Sequence, residues 1–223
     1  MEDISSDLKI EESDTIEKDK VILKRIWSFW ENYESKNKNP KTYSQSLAEI
    51  YTFDNILSFW QFWNKYPGKT ASTIFYNGEY LKYFFTEKYR ITAMNIFEKG
   101  IKPEWEDEKN KNGHVFTMDY IVDSNINSFF NTIPKYWNKL MLGLIGESIM
   151  NSEYFNGIRF VDKTNLGKKI MFRFEIWANC NIPEEEISKT KVFYGKEFGC
   201  SGIYVKDIKE PGIYAGYPIK RIQ

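Results

Sequence analysis

A tryptophan followed at once by a glutamate stands out in the segment from Gly100 to Gly113, GIKPEWEDEKNKNG. The indole of Trp105 can stack on a flat, electron-poor ring, and the carboxylate of Glu106 can accept two parallel N–H bonds from the edge of that ring. Guanine has such an edge, and methylation at its N7 adds a positive charge that favours stacking. The pair therefore indicates a base-binding loop, although a lone Trp-Glu pair also occurs at the mouth of an ordinary core.

The clearest predicted strand runs from Lys169 to Trp177. Apolar residues occupy every second position, so Arg173 and Trp177 lie on the opposite face. Helices that cover the apolar face leave this other face open, which predicts a solvent-facing Trp177 beside basic residues. The alternative is that Trp177 packs under a loop at the edge of the sheet. The apolar positions are Ile170, Phe172, Phe174 and Ile176.

Three further strands are predicted from the same alternation. They cover Val115 to Val122, Gly157 to Lys163 and about Ser46 to Thr52. A turn at Asn165 to Gly167 joins the second of them to the strand of Trp177, which gives an antiparallel hairpin. Basic residues cluster in this hairpin, and a solvated turn is their ordinary interpretation. They are Lys163, Lys168 and Lys169.

Helical periodicity predicts three helices. The first spans Asp54 to Tyr66 with Asp54 as its cap, and the second spans about Ile133 to Gly146 with Thr132 as its N-cap. The third begins near Pro183 and ends before Gly199. Strands separated by a few helices predict an α+β fold, with one curved antiparallel sheet and the helices packed on one face.

The charge composition of the chain indicates the kind of partner that the protein binds. The 223 residues carry 31 basic and 31 acidic side chains. Residues 1–20 are acidic, lack aromatic residues and are predicted to be a disordered leader, whereas residues 21–223 form the folded domain. The domain has 28 basic against 23 acidic groups, an excess that suits a local phosphate site better than a surface that coats a duplex.

Several classes of function are disfavoured by what the sequence lacks. Two cysteines, Cys180 and Cys200, are too few for a disulfide framework or a zinc knuckle, and the single His114 argues against a multi-histidine metal site. No P-loop, GxGxxG, HExxH or GxSxG pattern occurs, so no cofactor and no enzyme activity are predicted. With an acidic amino terminus and no long apolar run, a cytoplasmic or nucleocytoplasmic location is expected.

The motifs taken together resemble the eukaryotic translation initiation factor 4E family, which binds the 7-methylguanosine cap of messenger RNA. The matching pieces occur in family order across roughly residues 21 to 200. The resemblance implies a curved antiparallel sheet backed by three helices on its convex face, with the cap slot on the concave face. The pieces are IWSFW at 26–30, TFDNILSFW at 52–60, the Trp105 segment, LMLGLIGE at 140–147 and the strand of Trp177.

The family's site implies a role for individual residues of this chain. Trp105 would stack on one side of the base, Glu106 would accept the guanine N1–H and N2–H, and Trp177 would touch the N7-methyl group. Tyr43 takes the opposite stacking position, where the usual members carry Trp, and Val115 stands where a basic phosphate contact is common. The implied phosphate contacts are Lys163 and Arg173, with Lys168 or Lys169 sharing that role.

The resemblance also implies protein partners on the helical side of the sheet. Initiation scaffold factor 4G and the 4E-binding proteins carry a Tyr-x4-Leu-hydrophobic helix that the family recognises, and a monomer is expected. Ordinary packing between helices is the alternative for Ile56 and Leu142. The implied partner-binding residues are Trp60, Ile56, Leu142 and Gly146.

Three alternatives remain open from sequence. Because Tyr43 replaces Trp as in the family's repressor-type branch, the chain is also compatible with a cap-binding translational repressor. Stacked aromatic residues suit an aromatic-rich carbohydrate-binding module, which does not explain the basic hairpin. An enzyme with Glu106 as general base lacks an identifiable partner acid or nucleophile.

Overall fold

The computed structural model describes residues 21–35, 46–66, 75, 89–122, 126–164, 170–200 and 203–208. Within these ranges the chain forms seven strands, three α-helices and a short 3-10 helix. The helices are α1 (Ile56–Lys65), α2 (Ile126–Ile145) and α3 (Glu184–Glu197), and the 3-10 helix is Ser152–Tyr154. The strands are β1 (Ile22–Ser35), β2 (Leu47–Asn55), β3 (Tyr89–Glu98), β4 (His114–Val122), β5 (Phe155–Asp162), β6 (Ile170–Ala178) and β7 (Ile203–Asp207).

The seven strands form one curved sheet in the order β2-β1-β3-β5-β6-β4-β7, and every neighbouring pair is antiparallel. The hairpin of β5 and β6 pairs as the sequence predicts. β4 lies between β6 and β7, although β6 follows it far along the chain. The predicted α+β fold, a single antiparallel sheet with three helices, is therefore confirmed.

The sheet buries apolar residues on both faces. On one face, here called the helical face, all three helices pack their apolar sides on alternate strand residues, and Trp137 of α2 stacks near Phe160 and Phe174. The other face, here called the open face, carries a smaller cluster without a helical residue. Its buried members are Trp30, Phe97, Ile101, Val115, Trp177 and Ile208.

Two predicted helix starts are wrong. Asn55 rather than Asp54 caps α1, because its side-chain oxygen accepts the Ser58 N–H at 2.8 Å while β2 continues to Asn55. The helix α2 begins at Ile126, so Thr132 lies inside it and is not an N-cap. Pro134 removes only one backbone hydrogen bond from a long helix, and burial of the face with Ile133 holds the turns around it. No described helix is long and apolar enough to cross a membrane.

Arg25 joins β1 to the end of α2 and the start of β5. Its Nε donates to Glu147 Oε1 at 2.9 Å, and its other nitrogens donate to the carbonyls of Phe155 and Ser152 at 2.7 and 2.8 Å. The guanidinium also lies 4.4 Å from the ring centre of Trp27. Burial alone would raise the pKa of Glu147, but hydrogen bonds from Arg25 and a nearby lysine lower it overall.

The lowered pKa of Glu147 predicts a pH-dependent contribution to stability. A carboxylate with a lowered folded pKa stabilises the protein above its unfolded pKa, and that contribution is lost as the pH falls through the folded value. Glu147→Gln should therefore cost about 1 kcal/mol of unfolding free energy at pH 7. In urea titrations, this difference from the parent protein should shrink as the pH approaches 3. A constant difference, or an equal loss in the exposed control Glu185→Gln, would contradict the assignment.

Candidate functional site

The residues that could bind a base lie on a loop between β3 and β4, here called the Trp105 loop (residues 99–113). Gly100 has a φ of +86°, which a glycine adopts without strain and which turns the chain out of β3. Asp107 then organises the loop from within, because its two oxygens accept the N–H groups of Lys102 and Lys109, each at 2.9 Å. One carboxylate thus holds both halves of the loop together.

A buried asparagine completes this internal framework. Asn110 is fully buried and donates to the carbonyls of Lys102 and Glu104, both at 2.8 Å. From β5, Asn156 donates to Asn110 Oδ1 at 3.0 Å and to the Lys109 carbonyl at 2.7 Å. The loop is therefore fixed to the sheet by side chains that the sequence analysis missed, although Asp and Asn in a polar turn are the usual signal for such bonds.

The end of the Trp105 loop is bonded to the chain just after β7. The Asn112 N–H donates to the Ile208 carbonyl at 3.1 Å, and the Ile208 N–H donates to the Gly113 carbonyl at 2.8 Å. The Ile208 side chain is buried in the cluster on the open face. The loop is thus anchored at both ends and in its middle, so its exposed side chains have a rigid support.

Trp105 and Glu106 are adjacent exposed side chains of this loop. Trp105 keeps 38% of its surface accessible, and within the described chain the Glu106 carboxylate forms no hydrogen bond or ion pair. The Trp105 ring centre lies 6.4 Å from that of Trp177, with a 35° angle between the planes. The ammonium of Lys206 lies 4.0 Å from the Trp105 ring centre. An indole face and a free carboxylate therefore stand side by side, as the sequence predicts.

Trp177 differs from its prediction. It does lie on the open face, in register with Val115 of β4 and Gly157 of β5, but only 1% of its surface is exposed. The expected solvent-facing tryptophan is wrong and the alternative, packing under a loop, is confirmed, because Phe97, at 5.5 Å between ring centres, and Trp105 pack against the ring. Trp177 thus forms the floor under the Trp105 loop rather than an exposed wall.

A chain of buried polar side chains crosses the open face beside Trp177. Asn95 donates to Asn32 at 3.0 Å and accepts from Arg159 Nε at 2.8 Å. Arg159 Nη1 in turn donates to Glu175 Oε2 at 2.9 Å, and the Trp177 indole N–H donates to the same oxygen at 3.1 Å. These bonds hold the Trp177 ring in one orientation. Sequence analysis missed Arg159 and Glu175, because one sequence does not give the register that brings them opposite each other.

The predicted phosphate-binding residues lie on the same face, beyond Glu175. Arg173 forms a two-pronged ion pair with Asp119, its partner in register on β4, at 2.6 and 2.8 Å. Lys163 follows the end of β5 and makes no ion pair with any described residue. Its pKa is lowered mainly because neighbouring residues desolvate the ammonium; Glu175 opposes this effect, whereas Arg173 and Arg159 repel a proton and add to it. An anion placed here would relieve that repulsion.

Three of the predicted residues lie outside the described ranges, namely Tyr43, Lys168 and Lys169. The described residues of the predicted site, Trp105, Glu106, Trp177, Lys163 and Arg173, lie on a single face. Across the described ranges, no three histidine, cysteine or acidic side chains group as metal ligands would.

Comparison with known proteins decides the family. The family model described as eukaryotic initiation factor 4E matches residues 22–192, which is most of the chain. The chain belongs to the eukaryotic initiation factor 4E family. This confirms the resemblance read from the motifs, and the family's members are translation factors rather than enzymes.

Individual relatives agree with the assignment. The tomato (Solanum lycopersicum) translation initiation factor isoform 4E is 27% identical over 163 residues, which cover 70% of each chain. The rice (Oryza sativa subsp. japonica) isoform 4E-2 is 29% identical over 137 residues, which cover 61% of this chain and 55% of the rice protein.

Solved structures share the fold of this 4E-family chain. Ascaris suum eIF4E-3 in complex with an m7G cap superposes with a TM-score of 0.62 at 20% identity, over 89% of this chain and 96% of that one. C. elegans eIF4E-3 in complex with the 4E-binding protein Mextli gives a TM-score of 0.61 at 18% identity, over 81% and 87% of the two chains.

The predicted partner-binding residues of this 4E-family protein lie on the helices. Ile56 and Trp60 are one turn apart on α1, Leu142 lies in the last turn of α2, and Gly146 follows that helix directly and donates its N–H to the Leu142 carbonyl at 3.0 Å. The three large side chains, Ile56, Trp60 and Leu142, are between 37% and 39% exposed. The alternative, that Ile56 and Leu142 are buried between helices, is therefore wrong.

The framework of the Trp105 loop predicts the effect of Asn110→Ala. The substitution removes two donated hydrogen bonds and the acceptor for Asn156, so it should destabilise the loop by about 1–3 kcal/mol. Amide hydrogen exchange across residues 102–111 should then be at least about tenfold faster, with α3 unchanged. The exposed Asn64→Ala on α1 is the matched control. Unchanged exchange in the loop would show that Asn110 does not hold it.

Proposed function

We propose that this protein binds the 7-methylguanosine cap of messenger RNA and recruits the translation initiation machinery. The observation that carries the proposal is the Trp105 loop. It presents an exposed indole beside a carboxylate that forms no hydrogen bond or ion pair with the described residues, on a rigid support and 6.4 Å from the ring centre of a buried second tryptophan. Membership in the initiation factor 4E family supports the same function, and it favours a cytoplasmic location.

The base would be recognised by stacking and by two hydrogen bonds. A cationic methylated guanine gains about 1–3 kcal/mol from stacking on Trp105, with a further cation–π contribution of about 0.5–2 kcal/mol. The Glu106 carboxylate accepts the base's N1–H and N2–H together, and adenine lacks this pair of donors. Trp177 forms the floor against the methyl group, and we assign the opposite stacking position to Tyr43.

Basic residues at one end of the slot would hold the phosphates. Lys163 forms no ion pair with a described residue, so its ammonium can bind a phosphate without breaking an ion pair within that part of the chain. Arg173 already forms an ion pair with Asp119, so a bound phosphate would have to share the guanidinium with that carboxylate. We therefore assign the stronger phosphate contact to Lys163, with Lys168 and Lys169 as further candidates in the same hairpin.

Dependence on the methyl group tests the function. Titration of the whole chain with 7-methyl-GTP and with GTP, followed by tryptophan fluorescence, should show binding of the methylated nucleotide at about micromolar Kd or tighter. The unmethylated nucleotide should bind at least about tenfold more weakly, because it lacks the cation. Equal affinities would exclude cap binding. Binding of sugars without a response to 7-methyl-GTP would instead favour a carbohydrate-binding module.

Glu106→Gln tests the recognition of guanine. The amide keeps one acceptor oxygen but replaces the other with a donor, which faces a base donor and repels it. The affinity for 7-methyl-GTP should fall by at least about tenfold. The matched control is Glu108→Gln, which removes an exposed carboxylate of the same loop that pairs with Lys111. A loss of the same size in both variants would mean that only the charge of the loop matters.

The partner surface is the second part of the proposal. An amphipathic Tyr-x4-Leu-hydrophobic helix from initiation scaffold factor 4G or a 4E-binding protein would pack on the exposed side chains of α1 and α2. Trp60→Ala should weaken binding of such a peptide by at least about 2 kcal/mol, measured by calorimetry, and leave 7-methyl-GTP affinity unchanged. Val192→Ala on α3 is the control, since Val192 is also an exposed apolar residue. Equal peptide affinity in both variants would reject this surface.

The translational repressor is the second candidate, and Tyr43 motivates it because a smaller ring stacks less surface on the base. The exposed partner surface around Trp60 favours the recruiting role instead. Adding the protein to a translation extract depleted of its own factor separates the two functions. Restored translation supports recruitment. If the protein binds the cap but translation is not restored, the result supports repression.

A further inference from the structure

Lys206 is a charged residue of the site that the family resemblance does not assign. It lies on β7, in register with Val115 of β4, and Val115 is itself in register with Trp177 of β6. Residues directly opposite in an antiparallel sheet point to the same face. Lys206 therefore belongs to the row of side chains on the open face that ends in the floor of the slot.

The ammonium of Lys206 occupies the attractive position over the Trp105 ring. Its nitrogen lies 4.0 Å from the ring centre, well within the distance of about 6 Å at which a cation is held by an aromatic face. A methylated guanine is attracted to the same π electrons by the same force. Since two positive charges near one ring repel each other, stacking of a cationic base on Trp105 would favour movement of the ammonium away from the ring.

A phosphate chain offers the displaced ammonium a new partner. The lysine side chain is a compact charge on a flexible four-carbon stem, so it can move while β7 stays in place. The neighbouring position on β4 is the apolar and buried Val115, which supplies no charge. The arginines of this face hold Asp119 and Glu175, and moving either one would leave a carboxylate without its ion-pair partner.

We propose that Lys206 has two positions: it rests on the Trp105 indole in the free protein and contacts the phosphate chain of the bound nucleotide. This inference rests on the proposed cap-binding function. It assigns a phosphate ligand to the edge strand β7, on the side of the slot away from Lys163 and Arg173. It also implies that binding of the base alone has to displace a resident cation, whereas binding of a nucleotide gives that cation a new partner.

Calorimetric titration of Lys206→Met with 7-methylguanosine and with 7-methyl-GTP tests the proposal. The affinity for 7-methyl-GTP should fall about three- to tenfold, because one phosphate contact is lost. The affinity for the nucleoside should stay the same or rise up to about threefold, because the competing cation is gone. The ratio of the two affinities should therefore fall. An unchanged ratio would overturn the proposal. An equal fall in affinity for both ligands would also overturn it, because that is the effect expected if Lys206 only supports the fold.

Two control variants separate this result from damage to the fold. Lys206→Arg keeps the charge and should keep most of the phosphate preference, whereas Lys191→Met on α3 removes an exposed lysine of the helical side and should change neither affinity. If the parent protein binds GTP and 7-methyl-GTP equally, the cap-binding function fails and this inference fails with it. If the methyl preference is present but the ratio is the same in Lys206→Met, only the role of Lys206 is rejected.

Discussion

The buried ion pair of Arg159 and Glu175 on the open face is the interaction on which the candidate site depends. A charged pair taken out of water is stable only when the remaining donors and acceptors are also bonded. Here Asn95 binds the guanidinium from one side and the Trp177 indole N–H binds the carboxylate from the other. The same pair therefore supplies hydrogen-bond partners for the buried polar side chains on the open face, and it fixes the orientation of Trp177 in the floor of the slot.

The two-residue repeat of the strands made much of the architecture predictable. In β6 the alternation separates the apolar residues under the helices from Arg173 and Trp177 on the other face, and the structure has the same division. The burial of Trp177 could be given only as an alternative, because its cover comes from a loop elsewhere in the chain. The predicted start of α2 was wrong although Thr132 and Pro134 have the residue types of a first helical turn. The helix begins at Ile126, so packing of the longer helix outweighs that local signal.

The polar contacts of the site are features that a single sequence does not predict. Trp105 and Glu106 are neighbours in the chain, so a joint role in base binding can be proposed from the sequence alone. The contact of Lys206 with Trp105, like the pairing of Arg173 with Asp119, depends on which strands are neighbours and in which register. A single sequence contains the alternation of each strand but not the offset between strands, since an even shift of pairing leaves every side chain on the same face.

The bonds between the Trp105 loop and Ile208 also bear on how the chain reaches its native state. During synthesis the segment that follows β7 emerges long after the loop, so two of the loop's anchoring bonds can form only late. Contacts between such distant parts of a chain are slow to form, because a large loop of chain must close first. A nascent chain that has already buried its helical face would therefore still lack a finished binding slot, and ligand recognition would be a property of the completed fold.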